Sequence, residues 1–126
     1  MIRFTRNAAL TVATAWILIA VIGAAHAAGA FAVGACGAYG YGYDFRKLTD
    51  ARVAAMKQCA GSSCKVVGAI KRGCAALAVD AKQPCGSFGW AVNPHLGNAE
   101  NASLRRCYEF GGRDCVVRAW ACDEKG

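Results

Sequence analysis

The sequence predicts a small α+β domain, stapled by disulfides and built from two tandem strand-strand-helix-strand repeats. Three observations lead to this class. The chain has 126 residues, which is enough for a single domain. Its eight cysteines all follow residue 35, and an even number of cysteines in a short exported chain is typical of a disulfide framework. The second half of the chain also repeats the first, with cysteines and glycines in the same order.

The N-terminal segment, residues 1–27, has the three parts of a signal peptide. Arg3 and Arg6 supply positive charge, an apolar run covers residues 8–25, and Ala25-His26-Ala27 has the small residues that signal peptidase accepts. We expect cleavage after Ala27, with Ala30 as the next candidate, and therefore a periplasmic or secreted protein. The alternative is an uncleaved membrane anchor, because the apolar run is close to the shortest spanning helix. Cleavage would leave no stable membrane span.

The mature part, residues 28–126, divides into repeat one (about 30–74) and repeat two (about 75–122). Four cysteines of the first repeat recur in the second at offsets of 48 to 51 residues, with apolar and glycine positions matching between them. The matching segments are 30–33 with 76–79, 36–41 with 85–90, 50–59 with 98–107, and 64–67 with 115–117.

Each repeat is predicted to begin with a short apolar strand, over residues 31–35 and 76–80. In the second strand, large side chains recur at every other position, which is the period expected of a strand. These side chains are Tyr39, Tyr41 and Tyr43 in repeat one, and Phe88, Trp90 and Val92 in repeat two.

The helix of each repeat is predicted from its cap and from a face of small residues. Thr49 or Asp50 can cap the first helix, and Asn98 can cap the second. Small residues recur at helical spacing, at positions 51, 55 and 59 and again at 99, 103 and 107, so that each helix can lie close to a sheet. The last strand starts at Val66-Val67 and at Val116-Val117, and Lys71-Arg72-Gly73 is predicted to form a hairpin tip between the repeats.

The duplication also predicts the disulfide pairing. A cysteine ends each helix and another starts the following strand, which predicts local bonds Cys59–Cys64 and Cys107–Cys115. The other four form two couples at equivalent positions, which can meet if the repeats pack about a pseudo-twofold axis. This predicts Cys36–Cys85 and Cys74–Cys122 as bonds that cross between the repeats.

The charge of the mature chain indicates few specific partners. Without Arg3 and Arg6, 13 Lys and Arg against 8 Asp and Glu leave a net charge of +5. Such an excess favours anionic envelope polymers, lipid headgroups or nucleic acid as partners, although ordinary solubility explains a charge of this size in most proteins. We expect no nucleic-acid partner, because no basic run is interleaved with aromatic residues.

Catalytic and metal-binding patterns are weak. His95 is the one histidine after the predicted leader, in a segment expected to be an exposed loop. We expect no metal and no cofactor, because the cysteine spacings do not form the close pairs of structural zinc sites. Thiol redox chemistry would need a labile pair, for which Cys36 and Cys85 are the place to look.

The aromatic second strands are the strongest binding feature, since tyrosine and tryptophan combine stacking area with a polar tip. The alternative, which we favour, is that these rings pack the core while the intervening glycines allow close approach of a helix. The candidate binding residues are Tyr39, Tyr41, Tyr43, Trp90 and His95.

Three segments carry a family resemblance. They are residues 51–59 (Ala-x-x-Ala-Ala-Met-Lys-Gln-Cys), Cys64-Lys65-Val66-Val67, and residues 73–79 (Gly-Cys-Ala-Ala-Leu-Ala-Val). Together they resemble domain of unknown function 4189, a family of small exported bacterial domains, from about Ala30 to Cys122. Six cysteines fit the family pattern, and Cys36 and Cys85 are additional. The resemblance implies an exported, disulfide-bonded α+β fold and provides no catalytic residue.

The sequence therefore favours a non-enzymatic binding module in the cell envelope or outside the cell, with an envelope polymer or a protein as its partner. One alternative is a small secreted enzyme, either a thiol oxidoreductase or a hydrolase that uses carboxylates. Another is a secreted effector that acts on a host or a competitor.

Overall fold

The computed structural model describes residues 28–123, so the predicted signal peptide lies outside the described residues. The first repeat comprises β1 (Ala28–Val33), β2 (Tyr39–Phe45), α1 (Leu48–Gln58) and β3 (Lys65–Ile70), with a 3₁₀ turn at Ala35–Gly37. The second comprises β4 (Gly73–Asp80), β5 (Phe88–Asn93), α2 (Leu96–Glu109) and β6 (Cys115–Asp123). The predicted α+β class is confirmed, and each repeat has the predicted order of elements.

Each repeat forms its own three-stranded antiparallel sheet, in the orders β2-β1-β3 and β5-β4-β6. The first strand of each repeat is central, which explains why it is apolar along its length: both of its faces are covered. Phe31 and Val33 point into a core between the two sheets, whereas Ala30 and Ala32 face α1. The elements therefore stack in four layers, helix, sheet, sheet, helix.

The core between the sheets holds the bulky side chains of both repeats. Its buried members are Phe31, Val33, Ile70, Ala75, Leu77, Val79, Ala119 and Ala121. The two outer layers use small residues instead, because a helix must lie close to its sheet. A Cβ atom added at Gly89 would lie 2.5 Å from the Ser103 carbonyl oxygen, so this glycine is needed where α2 crosses β5. Gly40 meets the backbone of α1 at Ala55 in the same way.

The predicted helix caps are wrong. Helix α1 begins at Leu48 after Lys47, and α2 begins at Leu96 after His95, with no side-chain cap in either case. Thr49, Asp50 and Asn98 lie inside the first turns. The physical reason is packing, since Leu48 and Leu96 contact the alanine layers beneath the helices and extend each helix toward its N-terminus.

The predicted hairpin between the repeats is also wrong. Strands β3 and β4 belong to different sheets, so Lys71 and Arg72 carry the chain from one sheet to the other. Arg72 has a positive φ of 49°, a conformation that a sharp turn requires and that non-glycine residues adopt rarely. Strand β4 begins at Gly73, so Gly73 and Cys74 lie in the second sheet, ahead of the expected start of repeat two.

The structure contains the four disulfides that the duplication predicts, Cys36–Cys85, Cys59–Cys64, Cys74–Cys122 and Cys107–Cys115. The expected reason for Cys74–Cys122 is wrong. Cys74 and Cys122 are paired residues of neighbouring strands β4 and β6, so their bond lies within the second sheet. Cys36–Cys85 does cross between the repeats, because it joins the connection after β1 to the connection after β4. Within residues 28–123, neither helix is long and apolar enough to cross a membrane.

Candidate binding site

A β-bulge in β6 brings a residue of the second repeat onto the first. Leu77 pairs with Ala119 and Ala78 pairs with Val117, so Arg118 is an extra residue in the ladder. Bulges redirect side chains and are frequent beside functional sites. The Arg118 guanidinium lies 6.0 Å from the ring centroid of Tyr39, and its Nε donates a long hydrogen bond of 3.4 Å to the Gly37 carbonyl.

The first repeat has the same bulge with a different side chain. Phe31 pairs with Gly68 and Ala32 pairs with Val66, which leaves Val67 as the extra residue. Val67 is partly buried and packs against the core between the sheets. The same backbone feature thus adds to the core in one repeat and presents a cation in the other.

The aromatic residues of β2 divide between the core and the surface. Tyr39 and Tyr41 are partly buried against the core between the sheets, as the core-packing interpretation expects. Tyr41 also stacks with Tyr43 at 5.9 Å between ring centroids, and Tyr43 is 52% exposed. The Tyr41 amide donates a 2.7 Å hydrogen bond to Gln58 Oε1, so the end of α1 holds the outer edge of this strand.

Two adjoining depressions follow these rings, with volumes of about 650 Å³ and 460 Å³. Both are lined by Tyr39, Tyr41 and Arg118; Gln58 lines the larger one, and Trp120 lines the smaller one. We call these five residues the tyrosine groove; the carboxylate residue Glu100 also lines the smaller depression. The volumes fall in the range of small-ligand sites, and Trp120 is 52% exposed at the rim.

The second repeat has a matching depression of about 650 Å³ around Trp90. The Arg106 guanidinium lies 5.5 Å from the Trp90 ring centroid, and its Nη1 donates a 2.8 Å hydrogen bond to the Trp90 carbonyl. Phe88 and Phe110 line the same depression and are exposed, Phe110 to 72%. We call Phe88, Trp90, Arg106 and Phe110 the tryptophan pocket; the carboxylate residues Asp80 and Glu109 line the same depression.

The structure places the predicted binding residues in three locations. Tyr39, Tyr41 and Tyr43 lie together on β2, and Trp90 lies in the tryptophan pocket. His95 is exposed at the start of α2, where its amide donates to Asn93 Oδ1 at 3.0 Å. It lines a depression of about 430 Å³ that it shares with Trp120.

Asp80 is the titratable group with the clearest structural task. Its carboxylate accepts hydrogen bonds from the amides of Arg113, Lys82 and Gln83 at 2.9 to 3.3 Å. These bonds favour the charged form, that from Arg113 most, and hold the pKa of the Asp80 carboxyl below its usual value. Asp80 thereby ties the connection after β4 to the connection before β6.

Residues 28–123 contain neither a cluster of metal ligands nor a free thiol. No cluster of three or more His, Cys, Asp or Glu side chains there could hold a metal ion. The eight cysteines are all in disulfides. Cys36 and Cys85 are the exposed pair, whereas at least one sulfur-bearing residue of each other pair is buried.

Sequence reasoning missed Arg118, Trp120, Arg106, Phe110 and Gln58. Gln58 and Arg106 occupy matching positions before the helix-end cysteines, and that match was the available signal. Arg118 gave none, because its contact with Tyr39 depends on the bulge and on the packing of one sheet against the other.

The comparisons with known proteins identify the family of this domain. The family model described as Domain of unknown function (DUF4189) matches residues 28–122, nearly all of the described chain, so this chain belongs to that family. No curated protein and no solved structure matches the sequence.

Proposed function

We propose that this member of the DUF4189 family is an exported binding module, periplasmic or secreted, that contacts a polymer or a protein through the tyrosine groove. One observation carries the proposal: the bulge at Arg118 places a guanidinium from the second repeat over the aromatic strand of the first, in an open depression.

The chemistry of the groove suits recognition. A guanidinium has five N–H donors, and Arg118 directs one of them to Gly37, so its remaining donors are available to a ligand. Arg118 is exposed and forms no ion pair with a carboxylate within the described chain. Tyr41 and Trp120 add aromatic surface beside it, and such surfaces contribute binding energy with little loss of conformational entropy.

Export is supported by two independent features. Four disulfides in a domain of this size are typical of oxidising compartments. The N-terminal segment has the pattern of a signal peptide, with cleavage proposed after Ala27.

The test expresses the full chain in its native host, recovers the protein after export, and measures the fraction that envelope fractions from that host retain. Arg118→Gln removes the cation and Trp120→Ala removes exposed ring surface, and we expect each to lower the retained fraction at least tenfold. Arg113→Gln and Val116→Ala are matched controls, because both residues are exposed near the same strand but do not line the groove.

Retention of all four variants at the wild-type level would contradict the proposal. A loss of retention in the two control variants as large as that in Arg118→Gln and Trp120→Ala would also contradict it. Non-reducing mass spectrometry of each variant should show four closed disulfides, which separates loss of binding from misfolding.

A further inference from the structure

We infer that the tryptophan pocket is a second binding site, equivalent to the tyrosine groove through the duplication, and that each site takes the anionic group of a carboxylate- or phosphate-bearing glycan. This inference rests on the proposed binding function and gives it a ligand class and a stoichiometry.

The backbone makes the two sites equivalent. Tyr41 pairs with Phe31 across the first sheet, and Trp90 pairs with Leu77 across the second. In each repeat the residue before the helix-end cysteine bonds to the backbone of that aromatic residue. Gln58 accepts from the Tyr41 amide, and Arg106 donates to the Trp90 carbonyl. Both depressions also measure about 650 Å³.

Each site holds one guanidinium, although the two come from different elements. Arg118 comes from the bulge in β6, and Arg106 comes from α2. Both lie over an aromatic ring and donate one hydrogen bond to a backbone carbonyl, at 3.4 Å and 2.8 Å. Carboxylates line both sites as well: Glu100 lines the smaller depression of the tyrosine groove, and Asp80 and Glu109 line the tryptophan pocket. Three backbone amides hold the Asp80 carboxylate. Both guanidinium groups are exposed, and neither forms an ion pair with Asp or Glu within the described chain. Each guanidinium is positioned by the aromatic ring beneath it and by one hydrogen bond. Its other N–H donors can therefore form a planar contact with two oxygens of a carboxylate or a phosphate.

The neighbouring surfaces indicate a glycan rather than an isolated anion. Phe88 and Phe110 beside Arg106, and Tyr41 and Trp120 beside Arg118, offer flat apolar area next to the cation. A sugar ring presents a C–H face that packs on such rings, and an acidic sugar or a sugar phosphate carries its charge on the same unit. A run of acidic residues, such as poly-L-glutamate, would supply the charge without a rigid apolar face.

The two sites flank the disulfide that joins the repeats. Cys36 lines the larger depression of the tyrosine groove. Its partner Cys85 lies between Gln83 and Gly86, which both line the depression of the tryptophan pocket. The two sites belong to different repeats, and the Cys36–Cys85 bond joins the connections that line them. We therefore expect two ligand segments per chain.

The test is isothermal titration calorimetry of the processed protein with hexagalacturonate and with a mannose-phosphate oligosaccharide. We expect two moles of one anionic oligosaccharide per mole of chain. Arg118→Gln or Arg106→Gln should leave one mole bound, with the affinity of the remaining site within about twofold of wild type, and the double variant should bind none. Arg105→Gln, on the same helix as Arg106, and Arg113→Gln should still bind two.

The two oligosaccharides distinguish carboxylate from phosphate as the recognised group, and binding of either one in the expected pattern supports the inference. A stoichiometry of one, equal binding of neutral maltohexaose or of poly-L-glutamate, loss of a site in Arg105→Gln, or no binding of either anionic oligosaccharide would overturn it. If neither anionic oligosaccharide binds, the retention test decides whether the proposed function also fails. Retention on envelope fractions that depends on Arg118 and Trp120 would support the proposed function without the glycan inference. Retention that is unchanged by substitution of both residues would contradict the proposed function as well.

Discussion

Val67 and Arg118 occupy the same extra position in two copies of one bulge, and their environments differ. The valine completes the core between the sheets. The arginine is exposed and lies over the Tyr39 ring, so its charged end reaches solvent while its stem covers apolar surface. The same bulge therefore carries chemically different side chains in the two repeats without a change of fold.

Asp80 leads to a prediction about pH. Its pKa is lowered in the folded protein, mainly by the amide of Arg113, so its contribution to stability is complete above the usual Asp pKa of about 3.9 and is lost as pH falls through the lower folded value. We expect Asp80→Asn to be less stable than wild type at pH 7, with the difference shrinking below pH of about 4. Denaturant midpoints from pH 7 to 2, under non-reducing conditions, measure this. Parallel curves for the two proteins would contradict it.

The contact between each helix and the edge strand beneath it depends on glycine. An added Cβ at Gly89 would collide with the backbone of α2 at Ser103 and Cys107, and backbone cannot yield as a flexible side chain does. The helix would have to lift away from β5, carrying Arg106 with it.

We expect Gly89→Ala to lower the free energy of unfolding by about 1 to 3 kcal/mol. Gly97→Ala is the matched control, because it lies in α2 with no atom within 4 Å of its added Cβ. There the substitution should stabilise the protein by up to about 0.5 kcal/mol, because Gly97 lies in the first turn of α2, where helix propensity has less weight than in the interior. Urea unfolding of both variants checks the prediction, and a neutral Gly89→Ala would show that α2 can move freely over β5.

The disulfides divide the task of holding the domain together. Cys59–Cys64 and Cys107–Cys115 fasten each helix to the strand that follows it, and Cys74–Cys122 fastens two strands of the second sheet. Cys36–Cys85 joins the connection between β1 and β2 to the connection between β4 and β5. It therefore limits how far the two repeats can separate in the unfolded chain.

The double variant Cys36→Ser, Cys85→Ser should lose about 4 kcal/mol of stability in the chain-entropy model, because this bond spans 49 residues. The variant Cys59→Ala, Cys64→Ala, whose bond spans 5 residues, should lose about 2 kcal/mol by the same relation. Calorimetric or urea unfolding measures both. A larger loss for the local bond would show that native packing, rather than freedom of the unfolded chain, controls the stability of this domain.

The sequence by itself determined the duplication, the order of the elements and the two local disulfides. These features follow from local periodicity and from residues that recur at constant offsets, both of which can be read along the chain. The alternation of Tyr39, Tyr41 and Tyr43 predicted β2, and the helix-end cysteines predicted the local disulfides.

The tertiary structure decided where the helices begin, why Cys74 meets Cys122, and which residues form the candidate sites. Leu48 and Leu96 extend the helices because an alanine layer lies beneath them. Cys74 and Cys122 meet because β4 is a central strand paired with β6, not because they are equivalent. Arg118 reaches Tyr39 only once a bulge and two packed sheets bring distant segments together, and such non-local register is set by burial of one face rather than by neighbouring residues.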